Sequence, residues 1–318
     1  MNFRTKIPIS KFNFPIDYSS KIVSFGSCFA ENMAEKFDFF KFQNSCNPFG
    51  ILFHPLAIEK IISKAINTTF FGEEDIFFLN ERWHCFDVHS DLSNANKDEL
   101  LKTLNGFVIT TKQQITEASH IIITYGTSWV YRNKQTKKVV ANCHKVPQNL
   151  FDKEILSVAT IEKSIQNTID LIESVNPKCA VIFTISPVRH IKDGFVENQR
   201  SKANLISALH STFDIRLLTQ SYFPSNEIMM DELRDYRFYA EDMLHPNQIA
   251  INYIWERFCE TTISNEANLI MTEVESIQRG LSHRPFNPNS ESHLKFINQL
   301  ELKASKLKSE FPFMDFQL

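Results

Sequence analysis

The sequence is poor in glycine: its 318 residues include only seven, against 29 phenylalanines. A chain this sparing keeps glycine where a side chain will not fit or where the backbone needs an unusual φ. Gly26, Gly50 and Gly126 each fall at or just after an apolar segment that reads as a strand, so they mark strand ends. Long apolar runs are also missing. None approaches the roughly 20 residues that span a bilayer, and residues 1–20 lack the apolar block and small-residue cleavage site of an export signal. These absences predict a cytoplasmic protein with no membrane partner. Cysteine pairs are missing too: Cys28, Cys46, Cys85, Cys143, Cys179 and Cys259 are scattered with no Cys-x-x-Cys, which reads as reduced thiols. His84 beside Cys85 and Cys143 beside His144 come nearest to metal ligands, without the clustering a zinc site needs. Finally, neither charge dominates. With 34 basic and 37 acidic residues the net charge is −3, so no basic face is advertised for nucleic acid.

What is present is a core. About 43% of the residues are apolar, enough for one large domain or a domain with an appendage. Lys21 to Phe25 reads as a buried strand running into Gly-Ser-Cys-Phe-Ala and a helix. Residues 39–45 read as a second strand, followed by a Pro-Gly loop. Pro55 to Asn67 has helical spacing with proline in its first turn. Phe77 to Val88 reads as an irregular aromatic insertion. A helix over 98–118 precedes His120 to Tyr125, the clearest buried strand. A charged hairpin over 130–141, a helix over 160–175, a strand over 179–185, a helix over 199–210, a strand over 213–218 and a helix over 247–259 complete the order. Such alternation predicts an α/β fold in three α/β/α layers around a mainly parallel sheet. Residues 265–318 lack strands and read as two helices around the Pro285–Pro288 turn. The predicted division is a domain over 1–264 and a helical extension over 265–318, which offers a homodimer contact.

Three places could carry chemistry. Ser27 follows a strand and opens a helix, where free N–H groups and the helix dipole favour negative charge. It reads either as a helix cap or as a nucleophile needing a base and oxyanion donors. Cys28 beside it is a rival nucleophile, since helix N-termini lower thiol pKa. His245 stands three residues after Asp242, spacing that lets the carboxylate orient the imidazole. Arg189 and His190 follow a strand end, and the planar fork of Arg189 suits a carboxylate or phosphate. His144 and Lys145 are further substrate contacts. Arg234 and Arg237 read as structural, paired with Glu232 and Asp235.

Phe25-Gly26-Ser27-Cys28-Phe29-Ala30 resembles the signature of the GSCFA family. Six later stretches resemble it as well: Asn47-Pro48-Phe49-Gly50, Tyr125-Gly126-Thr127-Ser128-Trp129, Asn142-Cys143-His144-Lys145, Ser186-Pro187-Val188-Arg189-His190, residues 232–239, and Asp242-Met243-Leu244-His245-Pro246. The family in turn resembles the SGNH/GDSL hydrolases. That resemblance implies Ser27 as nucleophile facing the site, with Cys28 turned inward, His245 as base and Asp242 as its orienter. Gly50 matches the oxyanion glycine by position. Ser128 stands where the superfamily places an asparagine, which leaves Asn142 to supply the amide and Gly126 a backbone donor. Arg189, His190, His144 and Ser128 are the implied substrate contacts. The activity implied is a serine-dependent ester hydrolase or O-acyltransferase acting on a small-molecule or carbohydrate ester, with no metal or organic cofactor. The alternative is a binding or scaffold module that keeps the fold without catalysis.

Overall fold

The computed structural model describes residues 5–213, 220–284 and 286–316. Its elements run β1 (Lys21–Gly26), α1 (Cys28–Phe39), β2 (Gln43–Cys46), α2 (Pro55–Ile66), β3 (Ile76–Leu79), β4 (Arg82–Cys85), α3 (Lys97–Glu117), β5 (His120–Tyr125), β6 (Trp129–Asn133), β7 (Val139–Val140), β8 (Phe151–Ile155), α4 (Val158–Val175), β9 (Ala180–Ile185), α5 (Phe195–Phe213), β10 (Gln220–Phe223), α6 (Ser225–Glu227), α7 (Gln248–Thr262), α8 (Asn265–Ser282) and α9 (Glu291–Glu310). Five strands in the order β10-β9-β5-β1-β2 form one parallel sheet. This is the expected three-layer α/β/α fold, with helices added at the C-terminal end.

Period two in the strands decides which side chains enter which layer. Val23 and Phe25 of β1, Ile121 and Ile123 of β5, and Val181 and Phe183 of β9 enter one core cluster with the apolar faces of α2, α3, α4 and α5. Ile22, Ile122 and Ile182 point the other way, onto Phe29, Met33 and Phe37 of α1 and Ile254, Trp255 and Phe258 of α7. With both faces covered, the strands are near-continuous apolar runs, as a parallel sheet requires. Helices α8 and α9 join the second cluster through Met271, Val274, Ile277, Ala304 and Leu307. Among the described residues, no helix is long and apolar enough to cross a membrane.

Several local expectations are corrected. The aromatic stretch over 77–88 is not irregular: β3 and β4 form an antiparallel hairpin, turned by Asn80 and Glu81, both at positive φ, the geometry that matches strand twist. The hairpin over 130–141 gains β8, which pairs with β6 to make a three-stranded sheet. The strand expected over 213–218 lies outside the described residues, apart from Phe213 at the end of α5; the edge strand is β10. Asp235 does pair with Arg237 at 2.9 Å, but Glu232 pairs with Arg257.

The topology selects one edge of the sheet. After β1 the chain moves outward to β2, then returns to lay down β5, β9 and β10 on the opposite side of β1. The loops following β1 and β5 therefore diverge. In open α/β sheets the crevice at such a reversal, beyond the carboxyl ends of the strands, is where ligands bind.

Candidate active site

The loop leaving β1 has little freedom. Gly26 adopts φ +145°, and a Cβ there would stand 2.2 Å from the Thr124 carbonyl oxygen of the neighbouring strand. Its N–H donates to Asn47 Oδ1 at 2.8 Å and its carbonyl accepts from Leu52 N–H at 3.0 Å. The loops after β1 and β2 are thus tied to each other. Ser27 caps α1: its Oγ accepts from Phe29 N–H at 3.3 Å, and its own N–H donates to the Thr124 carbonyl. The residue is fully buried, at 0% exposure.

Asp242 and His245 form a preorganised pair. His245 Nδ1 lies 2.5 Å from Asp242 Oδ2, while Oδ1 accepts the backbone N–H groups of Leu244 and His245. Between them Met243 sits at φ +58°, a conformation uncommon outside glycine and asparagine and the kind of strain that clusters at functional sites. The loop is braced by Ala240 N–H on the His245 carbonyl and by Arg189 N–H on the Leu244 carbonyl. Those two backbone N–H bonds, and then the imidazole, hold the Asp242 carboxyl down at about 2. Both side chains are nearly half exposed, and no described residue hydrogen-bonds His245 Nε2.

Lys202 was missed by sequence reading. It is buried on the inner face of α5, and its Nζ donates to the carbonyls of Gly126 at 2.7 Å and Ser186 at 2.6 Å. It therefore clamps the carboxyl ends of β5 and β9 together. Burial pushes its ammonium down to about 7, against the opposing pull of Cys28 and Glu227. The signal was present in spacing. Asn198, Ser201 and Lys202 continue, at helical intervals, the same face as Leu205, Ala208 and Leu209, all of which are buried. Polar residues on an otherwise apolar stripe mark a buried polar site. Asn198 Oδ1 accepts from His190 N–H, and Ser201 bonds Thr127 and Ser128.

A titration follows. The folded-state pKa of Lys202 lies below the ordinary lysine value of 10.5. Between the two values the unfolded chain binds more protons, so stability rises with pH across that window. The expected result is a wild-type unfolding midpoint that gains, from about pH 6.5 to about pH 9.5, relative to Lys202→Met, measured by parallel thermal melts. Identical pH slopes would exclude a titrating Lys202.

His190 joins this group. Its ring packs against Phe53, its Nε2 is closed to solvent with no partner among the described residues, and that atom lies 3.1 Å from where a Cβ on Gly126 would stand. Burial, then the charges of Lys202 and His245, push it down to about 3. Burial, then Glu31, raise the Cys28 thiol, against a smaller opposing pull from Lys202. Lys202 and His190 both flank Gly126 at the end of β5.

Other expected site residues point elsewhere. Ser128 is fully buried with its Oγ bonded to Ser201 of α5, so it faces a helix interface and not a substrate. His144 is buried against Phe77, Phe86 and His84, with Nε2 on the Cys85 carbonyl. His84 Nε2 likewise meets the Leu79 carbonyl and its Nδ1 the Ser93 hydroxyl. Asn142 Oδ1 accepts the His144 N–H in a local turn. The N–H groups of Ser27, Gly50 and Gly126 are each held by a carbonyl, of Thr124, Asn47 and Phe53, so none is free as an oxyanion donor in this state. The Arg189 guanidinium lies 3.9 Å from the Tyr239 ring centroid, beside a cavity of about 220 Å³ that also includes Arg234 and Tyr236. A groove of about 720 Å³ lies away from the strand ends, between α1, α7 and α8.

The sheet is that of an α/β protein, with the N-terminus of α1 and a buried lysine at the carboxyl ends of its strands and the Asp242–His245 loop tied there through Arg189. The chain belongs to the GSCFA family, whose model matches residues 21–258. Residues 274–318 match the C-terminal domain of GSCFA domain proteins. No curated protein matches the chain.

Proposed function

We propose that the protein cleaves or transfers the acyl group of an ester, through a covalent acyl-enzyme formed at the turn between β1 and α1. The observation that carries this reading is the Asp242–His245 pair, fixed on a strained turn with Nε2 uncommitted. In this reading His245 takes the proton of the nucleophile as it attacks the acyl carbonyl, then gives it to the departing alkoxide. Asp242, ionised at all ordinary pH, orients the ring and stabilises the imidazolium. Oxyanion support comes from the N-terminus of α1 and, in its ammonium form, from Lys202, which then has a third N–H beyond the two its carbonyls use. The resemblance to SGNH/GDSL hydrolases favours the same chemistry. The substrate class is an O-acylated alcohol, acylated carbohydrates among them, with water or a sugar hydroxyl as acceptor.

A binding module is the second reading. The observation on its side is that the Ser27, Gly50 and Gly126 N–H groups are all paired within the protein. The two are separated by rapid mixing with 4-nitrophenyl acetate. An acyl-enzyme mechanism gives a burst of nitrophenol before steady turnover, whereas a binding module releases none above the buffer rate.

A further inference from the structure

Deepening the acyl-transfer reading and resting on it, we propose that the cavity between Arg189, Arg234, Tyr236 and Tyr239 is a carboxylate subsite, so that the ester taken at His245 carries an acyl chain ending in a carboxylate. The cavity measures about 220 Å³. That is below the range of drug-sized ligand sites and suits one small charged group with part of its chain.

Charge balance singles the cavity out. Arg132, Arg200, Arg237, Arg257 and Arg279 each face a carboxylate of the protein. Arg189 and Arg234 line the cavity and face none among the described residues. Glu232, the expected partner of Arg234, is taken by Arg257 and by the Ile7 N–H. One carboxylate does line the cavity, that of Asp235, and it is already spent. Its Oδ1 accepts the Arg237 N–H and its Oδ2 the Arg237 guanidinium, both at 2.9 Å. Two guanidinium groups therefore share a small cavity without a counter-charge of their own, and their planar forks match carboxylate or phosphate oxygens.

Two observations favour the carboxylate. Asp235 in the wall repels a doubly charged phosphate group more than a single charge. The site is also flat. The Arg189 guanidinium lies over the Tyr239 ring at 3.9 Å and 5.1 Å from the Tyr236 centroid. A guanidinium held over a ring keeps its donors along its edge, and its hydrogen-bond partners in the protein are neutral, the Tyr239 hydroxyl and, at 3.5 Å, the Met243 carbonyl. Met229, Met230 and Leu233 complete the lining with apolar surface for methylenes. The two methionines belong to a π-helical turn, Ile228–Glu232, a geometry that recurs at functional sites.

The same residues tie the cavity to the base. The Arg189 N–H donates to the Leu244 carbonyl at 3.1 Å, and its guanidinium reaches the Met243 carbonyl. Tyr239 stands opposite Pro246 in an antiparallel bridge. Both walls thus adjoin the loop that carries His245, and an anchored carboxylate holds the far end of an acyl chain beside that loop.

The test compares two esters of equal acyl length with the full chain, mono-4-nitrophenyl adipate and the uncharged 4-nitrophenyl hexanoate. The expected result is a kcat/KM ratio favouring the adipate by about ten-fold or more, the worth of hydrogen bonds to a charged group. In Arg189→Gln, and separately in Arg234→Gln, whose side chain is exposed, the ratio falls toward one. A ratio cancels any common effect of a variant on the His245 loop. Calorimetric titration of the folded chain with adipate, and with inorganic phosphate, reads binding without turnover: adipate is expected to bind more tightly than phosphate and to weaken at least ten-fold in Arg189→Gln. Turnover of both esters with a wild-type ratio near one, or a preference that survives in both variants, overturns the subsite and leaves acyl transfer standing. Phosphate binding as tightly as adipate overturns the carboxylate assignment. Adipate binding that depends on Arg189, with neither ester turned over, removes acyl transfer and keeps the subsite. Neither turnover nor binding removes both.

Discussion

Replacing His245 by alanine is expected to slow ester turnover by about 10²–10⁴-fold, the usual contribution of a positioned general base, while leaving the fold in place. The fold is spared because the His245 side chain is 46% exposed and contributes little packing. The loop also keeps its other ties. Asp242 Oδ1 still accepts the N–H groups of residues 244 and 245, and Arg189 N–H still holds the Leu244 carbonyl. The loss should therefore fall on kcat and on kcat/KM together, as it does when an interaction made only in the transition state is removed. Steady-state kinetics with an aryl acetate, alongside a circular dichroism melt, reads both quantities. A melt unchanged with activity unchanged would remove His245 from the chemistry.

The second large effect concerns stability. Gly26→Ala is expected to destabilise the fold by about 2–5 kcal/mol, combining backbone strain at positive φ with overpacking. The added methyl would meet the Thr124 carbonyl oxygen at 2.2 Å and the Thr124 Cβ at 2.8 Å. These atoms belong to β5, the strand paired with β1 in register, so neither can yield without opening the sheet. A built-in comparison exists at Gly106 in α3, where an added Cβ meets nothing within 4 Å. There the same substitution should stabilise, by roughly 0.5–1 kcal/mol, because alanine is the better helix residue. Urea denaturation of both variants tests the pair. Equal, small changes would show that the strand-end geometry is not as tight as described.

The layout of the sheet was legible because strands buried on both faces read as short apolar runs whatever their neighbours. Ile121, Ile122 and Ile123 needed no pattern of alternation to declare β5, and Pro55 announced the first turn of α2. The Asp242–His245 contact was legible for a related reason, since three residues of tight turn leave few ways to hold the two side chains apart. Other parts depended on tertiary pairing. Ser128 was read toward a substrate from its place after β5, but Ser201 on α5 claims its hydroxyl. The backbone donors of Ser27, Gly50 and Gly126 were counted as free because sequence does not say which carbonyl lies opposite, and Thr124, Asn47 and Phe53 supply those carbonyls. The β3–β4 hairpin was hidden because its turn uses Asn80 and Glu81 in place of a glycine. Lys202 escaped notice because a lone lysine in a helix is ordinarily solvated. Only its register with Leu205 and Leu209 placed it inside.

Burst kinetics would reveal an acyl-enzyme without any substitution. On rapid mixing of the full chain with excess 4-nitrophenyl acetate, a nitrophenol burst approaching one equivalent of protein is expected, followed by slower steady release, with the burst abolished in His245→Ala. Release at the buffer rate from a folded protein, or a burst of equal amplitude in His245→Ala, would contradict the acyl-enzyme reading.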